Sequence, residues 1–368
     1  MKILLAMSGG VDSTAAALLL REQGYDLVGC TFRTRYTTEQ SLQAAVNLAK
    51  QLDVEHYIVD YSDRFDETVI RYFRDEYLAG RTPNPCVLCN KTIKFGALLD
   101  EADRLGCEYI ATGHYARVQN GCLYRAADTH KDQTYFLWQL SPEQLNRVIF
   151  PLGDMTKQQV RDYLANKGFT ALSQSGESQD ICFIQDDYRT FLNLPPNPGK
   201  YVLSPSLSSS IHQSINSHAS GASIAALAAH QGFAHYTIGQ RKGLGVALGE
   251  PAFVTKIDAA TNTVTLGTHD ELYTHEVHLR DVVFSGDSTR PVMAQIRYRS
   301  IPQEARLQVD GGASEHSDKC TMHAQRSTLN AKLYTLNSKL PVWAPTPGQS
   351  CVFYQDNRLV GGGIITFA

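Results

Sequence analysis

The first 180 residues alternate short β-branched runs with helical patterns, and this alternation is the strongest constraint on the fold. Because strands separated by helices pair in parallel, the order implies a Rossmann-like parallel sheet with helices on both faces. The predicted strands are residues 2–7, 26–33, 56–60 and 107–112, and the predicted helices are 13–23, 39–52, 65–78 and 91–105. Residues 80–90 are predicted as a loop, and Asn120-Gly121 as a hairpin turn.

The pattern changes after the proline-rich residues 194–199. Residues 201–240 contain no Lys, Arg, Asp or Glu, and nine serines lie within 204–223, which predicts a loop there and a short helix near 224–229. Short alternating runs at 252–257, 263–266 and 292–299 then predict two small β-barrel-type domains. We therefore expect an α/β domain at 1–195, a central β domain at 196–280 and a C-terminal β-barrel at 281–368.

Composition limits the function classes. The chain has 368 residues, 43% of them hydrophobic, which is enough for a sizeable core and excludes wholesale disorder. A net charge of −3 does not indicate a nucleic-acid binder, although a local basic patch would be enough to bind a nucleic acid. No apolar run is long enough to span a bilayer, and residues 2–7 are too short for a signal peptide. We expect a cytoplasmic protein with no membrane partner.

A glycine-containing loop, Ser8-Gly9-Gly10-Val11-Asp12-Ser13, lies between the first predicted strand and helix. Small residues at such a junction let backbone N–H groups converge on phosphate oxygens, although an ordinary turn is the alternative. The string contains neither the Gly-Lys-Ser/Thr of a P-loop nor a dinucleotide fingerprint. It resembles the PP-loop pyrophosphatases, which cleave ATP between the α- and β-phosphates. In that case Asp12 would help to hold Mg²⁺, and Ser8 and Ser13 would donate to phosphate oxygens.

Three cysteines are candidates for chemistry. Cys86 and Cys89 form a Cys-x-x-Cys pair in a proline-containing loop, where a helix N-terminus and the nearby Lys91 and Lys94 would favour thiolates. Cys182, considered alone, is typical of a buried strand cysteine. The pair could equally be half of a zinc site or a thioredoxin-like motif, although no second pair completes a zinc site. The residues alone leave these alternatives open.

Several further blocks resemble the tRNA-specific 2-thiouridylases, in the same order and over nearly the whole chain. They are residues 84–95, 112–117, 131–137, 176–184, 236–245 and 346–350. The resemblance implies that ATP adenylates O2 of wobble uridine-34 in the tRNAs for Lys, Glu and Gln, with release of pyrophosphate. Sulfur from a persulfide on Cys182 would then displace AMP. Cys89 would release or resolve that sulfur and end in a transient Cys89–Cys182 disulfide.

The resemblance also implies a role for each matching residue. Target-base binding falls to Asn84, Pro85 and Cys86. The ATP site would comprise Ala6, Met7, Ser8, Gly9, Gly10, Val11, Asp12 and Ser13, with Phe32 and Gly113 at the adenine end. Contacts with tRNA would come from His114, Lys131, Asp132 and Gln133, and from Arg297, Tyr298 and Gln349 of the C-terminal barrel. Spacing alone favours an ordinary solvated strand face at Arg297 and Tyr298. The implied partners are tRNA and a sulfur donor, such as a cysteine desulfurase or a sulfur-relay protein.

Two departures from the family pattern leave open the route of sulfur transfer and the tRNA contacts of the central domain. Position 86 is usually Asp in the best-known members, whereas Cys86 supplies a third thiol. Cys86, Cys89 and Cys182 could together hold a [4Fe–4S] cluster with one iron open to hydrosulfide. The uncharged Ser-rich stretch replaces a charged hairpin, which puts tRNA contacts of the central domain in question. The competing functions are a different PP-loop synthetase, of the NAD or GMP type, and a redox-sensing RNA-binding protein.

Overall fold

A parallel five-stranded sheet forms the N-terminal part of the molecule. The computed structural model of the protein describes residues 1–176, 181–184, 187–217, 229–309 and 333–367. The strands of the sheet are β1 (Lys2–Ala6), β2 (Asp26–Arg33), β3 (Glu55–Asp60), β4 (Tyr109–Ala111) and β7 (Val148–Ile149). They lie in the order β3-β2-β1-β4-β7, and every pair is parallel, so the predicted Rossmann-like sheet is confirmed.

Helices on both sides of this sheet follow the predicted pattern, with one addition. The predicted loop at 80–90 contains a one-turn helix, Pro85–Cys89, with proline at its first position, where a missing N–H costs nothing. A π-helical segment, Asn90–Ala97, continues it. The other helical segments of this part are Val11–Glu22, Glu39–Gln51, Ser62–Phe65, Asp66–Ile70, Arg71–Leu78, Leu98–Arg104, Thr134–Phe136, Pro142–Leu145, Lys157–Asn166, Thr170–Ser173 and Tyr188–Leu192.

The central strand β1 fixes where a ligand site can form. Ile3, Leu4 and Leu5 are completely buried, as expected for a strand covered by helices on both faces. The neighbours β2 and β4 lie on opposite sides of β1, so the strand order reverses its direction at β1. In parallel sheets a crevice opens at such a point, beyond the carboxyl ends of the strands.

The central part contains a three-stranded sheet of order β8-β10-β9, formed by β8 (Lys200–Leu203), β9 (Phe253–Asp258) and β10 (Thr263–Gly267). The expected loop at 204–223 begins with a helix, Pro205–Ser217, so that expectation is wrong over the described residues. Leu207 and Ile211, four residues apart, are both buried, and Ser204 accepts a hydrogen bond from the Leu207 N–H. This apolar pair outweighs the serine-rich composition. Residues 224–228 of the expected short helix lie outside the described residues.

Six antiparallel strands form a closed barrel at the C-terminal end, in which β11 (Tyr273–Phe284) pairs with β14 (Tyr334–Trp343) on one side and with β16 (Arg358–Ile365) on the other. The expected boundary at residue 281 falls inside β11. The predicted strand at 292–299 ends at Gln295, so Arg297 and Tyr298 lie in the following turn. The barrel strands are β11 (Tyr273–Phe284), β12 (Val292–Gln295), β13 (Gln303–Val309), β14 (Tyr334–Trp343), β15 (Ser350–Gln355) and β16 (Arg358–Ile365).

A hairpin joins the α/β part to the barrel. Strands β5 (Arg117–Gln119) and β6 (Cys122–Tyr124) flank the predicted turn, and Tyr124 pairs with Arg358 of β16. Side chains from both parts also share one apolar cluster, which includes Trp138 and Val352. The barrel therefore packs directly on the α/β part. No helix within the described ranges has the length and apolar character needed to cross a membrane.

Candidate functional site

The predicted phosphate loop follows β1 and ends in the first turn of helix Val11–Glu22. The N-cap is Gly10, which has no side chain to cover the first N–H groups of the helix, and these groups attract anions. The Ser8 and Ser13 hydroxyls lie 3.2 Å apart beside it. At Gly9, with φ +72°, an added Cβ would lie 2.7 Å from the backbone of Ala44, so only glycine fits. The local geometry fits a bound phosphate chain.

Asp12 in this loop has two partners that sequence reasoning did not assign. The Lys157 ammonium donates to its two carboxylate oxygens at 2.7 and 2.9 Å, and the Tyr115 hydroxyl donates at 2.8 Å. Lys157 is the first residue of helix Lys157–Asn166, whose N-cap Thr156 forms a capping box with Gln159. That box is a local signal for the helix start, but nothing local to it indicates the contact with Asp12.

Other residues expected around ATP lie at the same end of the sheet. Gly113 follows β4 and packs against Asp12 so closely that a Cβ would lie 2.8 Å from the Asp12 carbonyl carbon. Phe32 lies near the end of β2, 6.2 Å from the Tyr61 ring, and is partly buried. The Met7 carbonyl accepts a hydrogen bond from Thr31. The loops after β1, β2 and β4 thus meet at the crevice expected for a nucleotide.

The structure places Cys182 near enough to Cys86 and Cys89 to affect their protonation. Cys86 is partly buried, Cys89 is buried and Cys182 is exposed, and all three are free thiols. The negative charge of an ionised Cys182 raises the pKa of both Cys86 and Cys89. Among the described residues, which include these three, no group of three or more Cys, His, Asp or Glu side chains is arranged to hold a metal ion. A cluster on these three thiols therefore stays a prediction.

The protonation of the cysteine pair differs from the sequence expectation. Burial raises the pKa of the Cys89 thiol to about 12, and it also raises the pKa of Cys86. The nearby Lys94 ammonium lowers both pKa values, which is the predicted direction, but burial outweighs it. The pair is held as neutral thiols, so their expected thiolate character is not a property of this conformation.

The residues expected to bind the target base begin helix Pro85–Cys89. Asn84 is the N-cap residue and is buried, as is Pro85. The Gln349 side chain, from the residue just before the barrel strand β15, donates to the carbonyl groups of Thr82 and Pro83 at 3.0 Å each. Gln349 thus lies against the base-binding segment, although more than 260 residues separate them.

Residues expected to contact tRNA near the base have contacts inside the protein. His114 is buried against Phe95 and Phe150, and burial, with Lys94 nearby, lowers its pKa well below the usual value. Asp132 is buried and accepts hydrogen bonds from Ala126 N–H and Thr134 while pairing with Arg125. Gln133 accepts from the Tyr115 N–H at 2.9 Å. Lys131, which precedes Asp132, is partly exposed.

The barrel residues Arg297 and Tyr298 occupy interfaces instead of the expected solvated strand face. The Arg297 guanidinium donates to the carbonyl groups of Ile238 and Ala344 and to the Thr346 hydroxyl. The Tyr298 ring lies 4.5 Å from Phe136 of the α/β part. Both side chains therefore tie the barrel to its neighbours. The strand pattern could not reveal this, because both residues lie in a turn.

A parallel sheet with an uncapped glycine loop after its central strand, followed by a closed barrel, defines an α/β protein of the PP-loop class. Family models cover most of the chain. The descriptions are "tRNA methyl transferase HUP domain" for residues 1–186, "tRNA methyl transferase PRC-barrel domain" for 212–268 and "Aminomethyltransferase beta-barrel domain" for 269–365.

Similar curated proteins carry a more specific name. The tRNA-specific 2-thiouridylase MnmA 3 of Bacteroides fragilis is 41% identical over 99% of this chain and 94% of its own length. The tRNA-specific 2-thiouridylase MnmA of Carboxydothermus hydrogenoformans is 40% identical over 99% of this chain and 97% of its own. A solved 4-thiouridine synthetase–RNA complex with bound ATP matches 47% of this chain and 42% of that chain, at 17% identity and a TM-score of 0.36. The chain belongs to the tRNA-specific 2-thiouridylase family.

Proposed function

We propose that this protein is an ATP-dependent tRNA uridine 2-sulfurtransferase that acts on wobble uridine-34. The supporting observation is a series of interactions that leads from the phosphate loop to the thiols. Gly113 packs on Asp12, the Lys94 ammonium lowers the pKa of the next residue, His114, and it also lowers the pKa values of Cys86 and Cys89. A nucleotide and a sulfur-carrying thiol can therefore serve one substrate base.

In the first half-reaction the uracil O2 attacks the α-phosphorus of ATP. An O–P bond forms, the bond to the β-phosphate bridging oxygen breaks, and pyrophosphate leaves. The N–H groups that follow Gly10, with Ser8 and Ser13, would hold the phosphates, while Asn84, Pro85 and Cys86 would line the extruded base. Asp12 is the carboxylate that would hold Mg²⁺, which shields phosphate charge when bound.

In the second half-reaction the terminal sulfur of a Cys182 persulfide attacks C2, and the C2–O bond breaks as AMP leaves. The Cys89 thiolate then attacks Sγ of Cys182, which releases 2-thiouridine and leaves a Cys89–Cys182 disulfide. A cellular dithiol must reduce that disulfide before the next turnover. Because burial raises the pKa of Cys89 to about 12, its thiol stays protonated, and therefore a poor nucleophile, until the site rearranges around the substrate.

The finer assignments rest on the same family resemblance. We propose the tRNAs for Lys, Glu and Gln as substrates and a cysteine desulfurase or sulfur-relay protein as the sulfur donor. Lys131, Asp132, Gln133, Arg297 and Tyr298 would shape the tRNA-facing side of the site, and their protein contacts make them supports of that surface. The cytoplasm is the proposed compartment.

The test is the yield of 2-thiouridine, measured by nucleoside mass spectrometry, from anaerobic protein given tRNA, ATP and Mg²⁺. Iron-stripped protein charged with persulfide is compared with protein reconstituted with iron and given sulfide. Product from the stripped protein, lost in Cys182→Ser and kept in the control Cys107→Ala, supports the persulfide route.

Product only after reconstitution would replace that route with a cluster on Cys86, Cys89 and Cys182. Another PP-loop synthetase would retain ATP cleavage with its own substrate in Cys182→Ser. A redox-sensing RNA-binding protein would bind tRNA without releasing pyrophosphate. Absence of 2-thiouridine with competent tRNA and donor would refute the proposed function.

A further inference from the structure

Residues 81–85, which lead into the base-binding residues, cannot pair all of their backbone hydrogen-bonding groups with each other. Pro83 and Pro85 lack N–H groups, so residues 81–85 cannot form a regular ladder or helix across this stretch. Buried carbonyl groups must nevertheless find donors. The donors for Thr82 and Pro83 come from the C-terminal barrel.

One side chain supplies two of these bonds. Nε2 of Gln349 donates to the carbonyl oxygens of Thr82 and Pro83, each at 3.0 Å, which uses both hydrogens of the amide. The Thr82 N–H in turn donates to the Pro347 carbonyl at 2.8 Å. Thr82 thus bonds the barrel loop through both of its backbone groups.

Gly348 makes this close approach feasible. Its φ is +93°, and a Cβ at this position would lie 2.7 to 3.0 Å from the backbone O, C and N of Thr82. Any other residue would push the two loops apart. The Thr82 hydroxyl also bonds the Thr237 hydroxyl at 3.1 Å, so the central part of the chain contacts the same residue.

The barrel side of this contact is itself fixed. The Gln349 carbonyl accepts from the Ile365 N–H, and the Gly348 N–H donates to the Ile365 carbonyl, both at 2.8 Å. The next residue, Ser350, accepts hydrogen bonds from the Tyr135 hydroxyl and the Trp138 indole. The backbone of Gln349 is therefore held by its hydrogen bond to β16 and by the buried contacts of the next residue, Ser350.

We propose that Gln349 is a positioning residue, which holds Asn84, Pro85 and Cys86 in place through the carbonyl groups of Thr82 and Pro83. The geometry of the contact is independent of the activity, and its catalytic consequence rests on the proposed function. The amide uses both of its hydrogens in these two bonds, so its donors serve the protein segment.

The experiment compares Gln349→Met and Gln349→Glu, which keep the side-chain length without the two donors, with Gln308→Ala on the exposed face of the same barrel. Iodoacetamide labelling of Cys86 is followed by peptide mass spectrometry in protein without tRNA. We expect labelling about tenfold faster in both Gln349 variants, since two hydrogen bonds no longer restrain the segment. The kcat for 2-thiouridine formation should fall about tenfold while the KM for tRNA stays within twofold.

Two results would overturn the proposal. A higher KM with unchanged kcat and unchanged Cys86 labelling would make Gln349 a tRNA contact. A lower melting temperature with unchanged labelling and unchanged kcat would make it a purely structural residue. Faster labelling in a protein that forms no 2-thiouridine even as wild type would keep the positioning role and refute the proposed function instead.

Discussion

The contact between Lys157 and Asp12 offers the sharpest test of the phosphate loop. At 2.7 Å, the Coulomb attraction between the two charges is about 1.5 kcal/mol in bulk water and about 6 kcal/mol at an effective dielectric of 20. The Lys157 side chain is 12% exposed and Asp12 is 36% exposed, so both limits need discounting for desolvation and for partial screening. We expect a net coupling of about 2 kcal/mol.

A double-mutant cycle of Asp12→Asn and Lys157→Met measures this coupling from urea unfolding. The cycle cancels the separate effects of each substitution, so a coupling of about 2 kcal/mol in the free energy of unfolding should remain. Lys157→Arg keeps the charge and serves as the matched control. A coupling below about 0.5 kcal/mol, within the additivity error of such cycles, would refute the reasoning that this contact is a strong ion pair.

Three further predictions concern the same site. Gly113→Ala should lower ATP-dependent pyrophosphate release at least about tenfold with tRNA binding retained, because its Cβ would displace the backbone of Asp12; unchanged release in a coupled phosphate assay would contradict this. Burial lowers the pKa of His114, so below about pH 6.5 the unfolded chain takes up a proton that the native chain does not. As the pH is lowered below that value, the free energy of unfolding should therefore decrease more steeply in the wild type than in His114→Asn. Parallel pH curves of urea unfolding would contradict this. In protein without tRNA at pH 8, iodoacetamide should modify the exposed Cys182 at least about 100-fold faster than Cys89, whose pKa burial raises to about 12; similar rates by peptide mass mapping would show that the site is already open.

Local patterns predicted most strands and helices of the α/β part. Strand β2 lies where the β-branched run at 26–33 predicts it, and helix Glu39–Gln51 matches its prediction to within one residue. Both follow from periodicity and from end signals within a few residues, which do not depend on distant contacts. The glycine loop was recognisable for the same reason, since its chemistry needs only a strand, small residues and a helix start.

Predictions from composition or spacing failed where packing decides. The serine-rich stretch begins with a helix because Leu207 and Ile211 are buried on one face, an effect that composition does not measure. Arg297 and Tyr298 were expected on a strand, whereas they lie in a turn between parts of the chain and support the interface. The residue roles for tRNA binding stay predictions.

The sequence by itself determined that this chain has a parallel sheet, a phosphate loop after its first strand and three candidate thiols, because each of these is encoded within a short window. Only the tertiary structure decided which distant groups meet. Lys157 reaches Asp12, Gln349 reaches Thr82, and burial outweighs Lys94 in raising the pKa of Cys89. Such contacts depend on how segments that are distant in the sequence pack against each other, and the hydrophobic pattern of a segment specifies which face is buried but not what covers it.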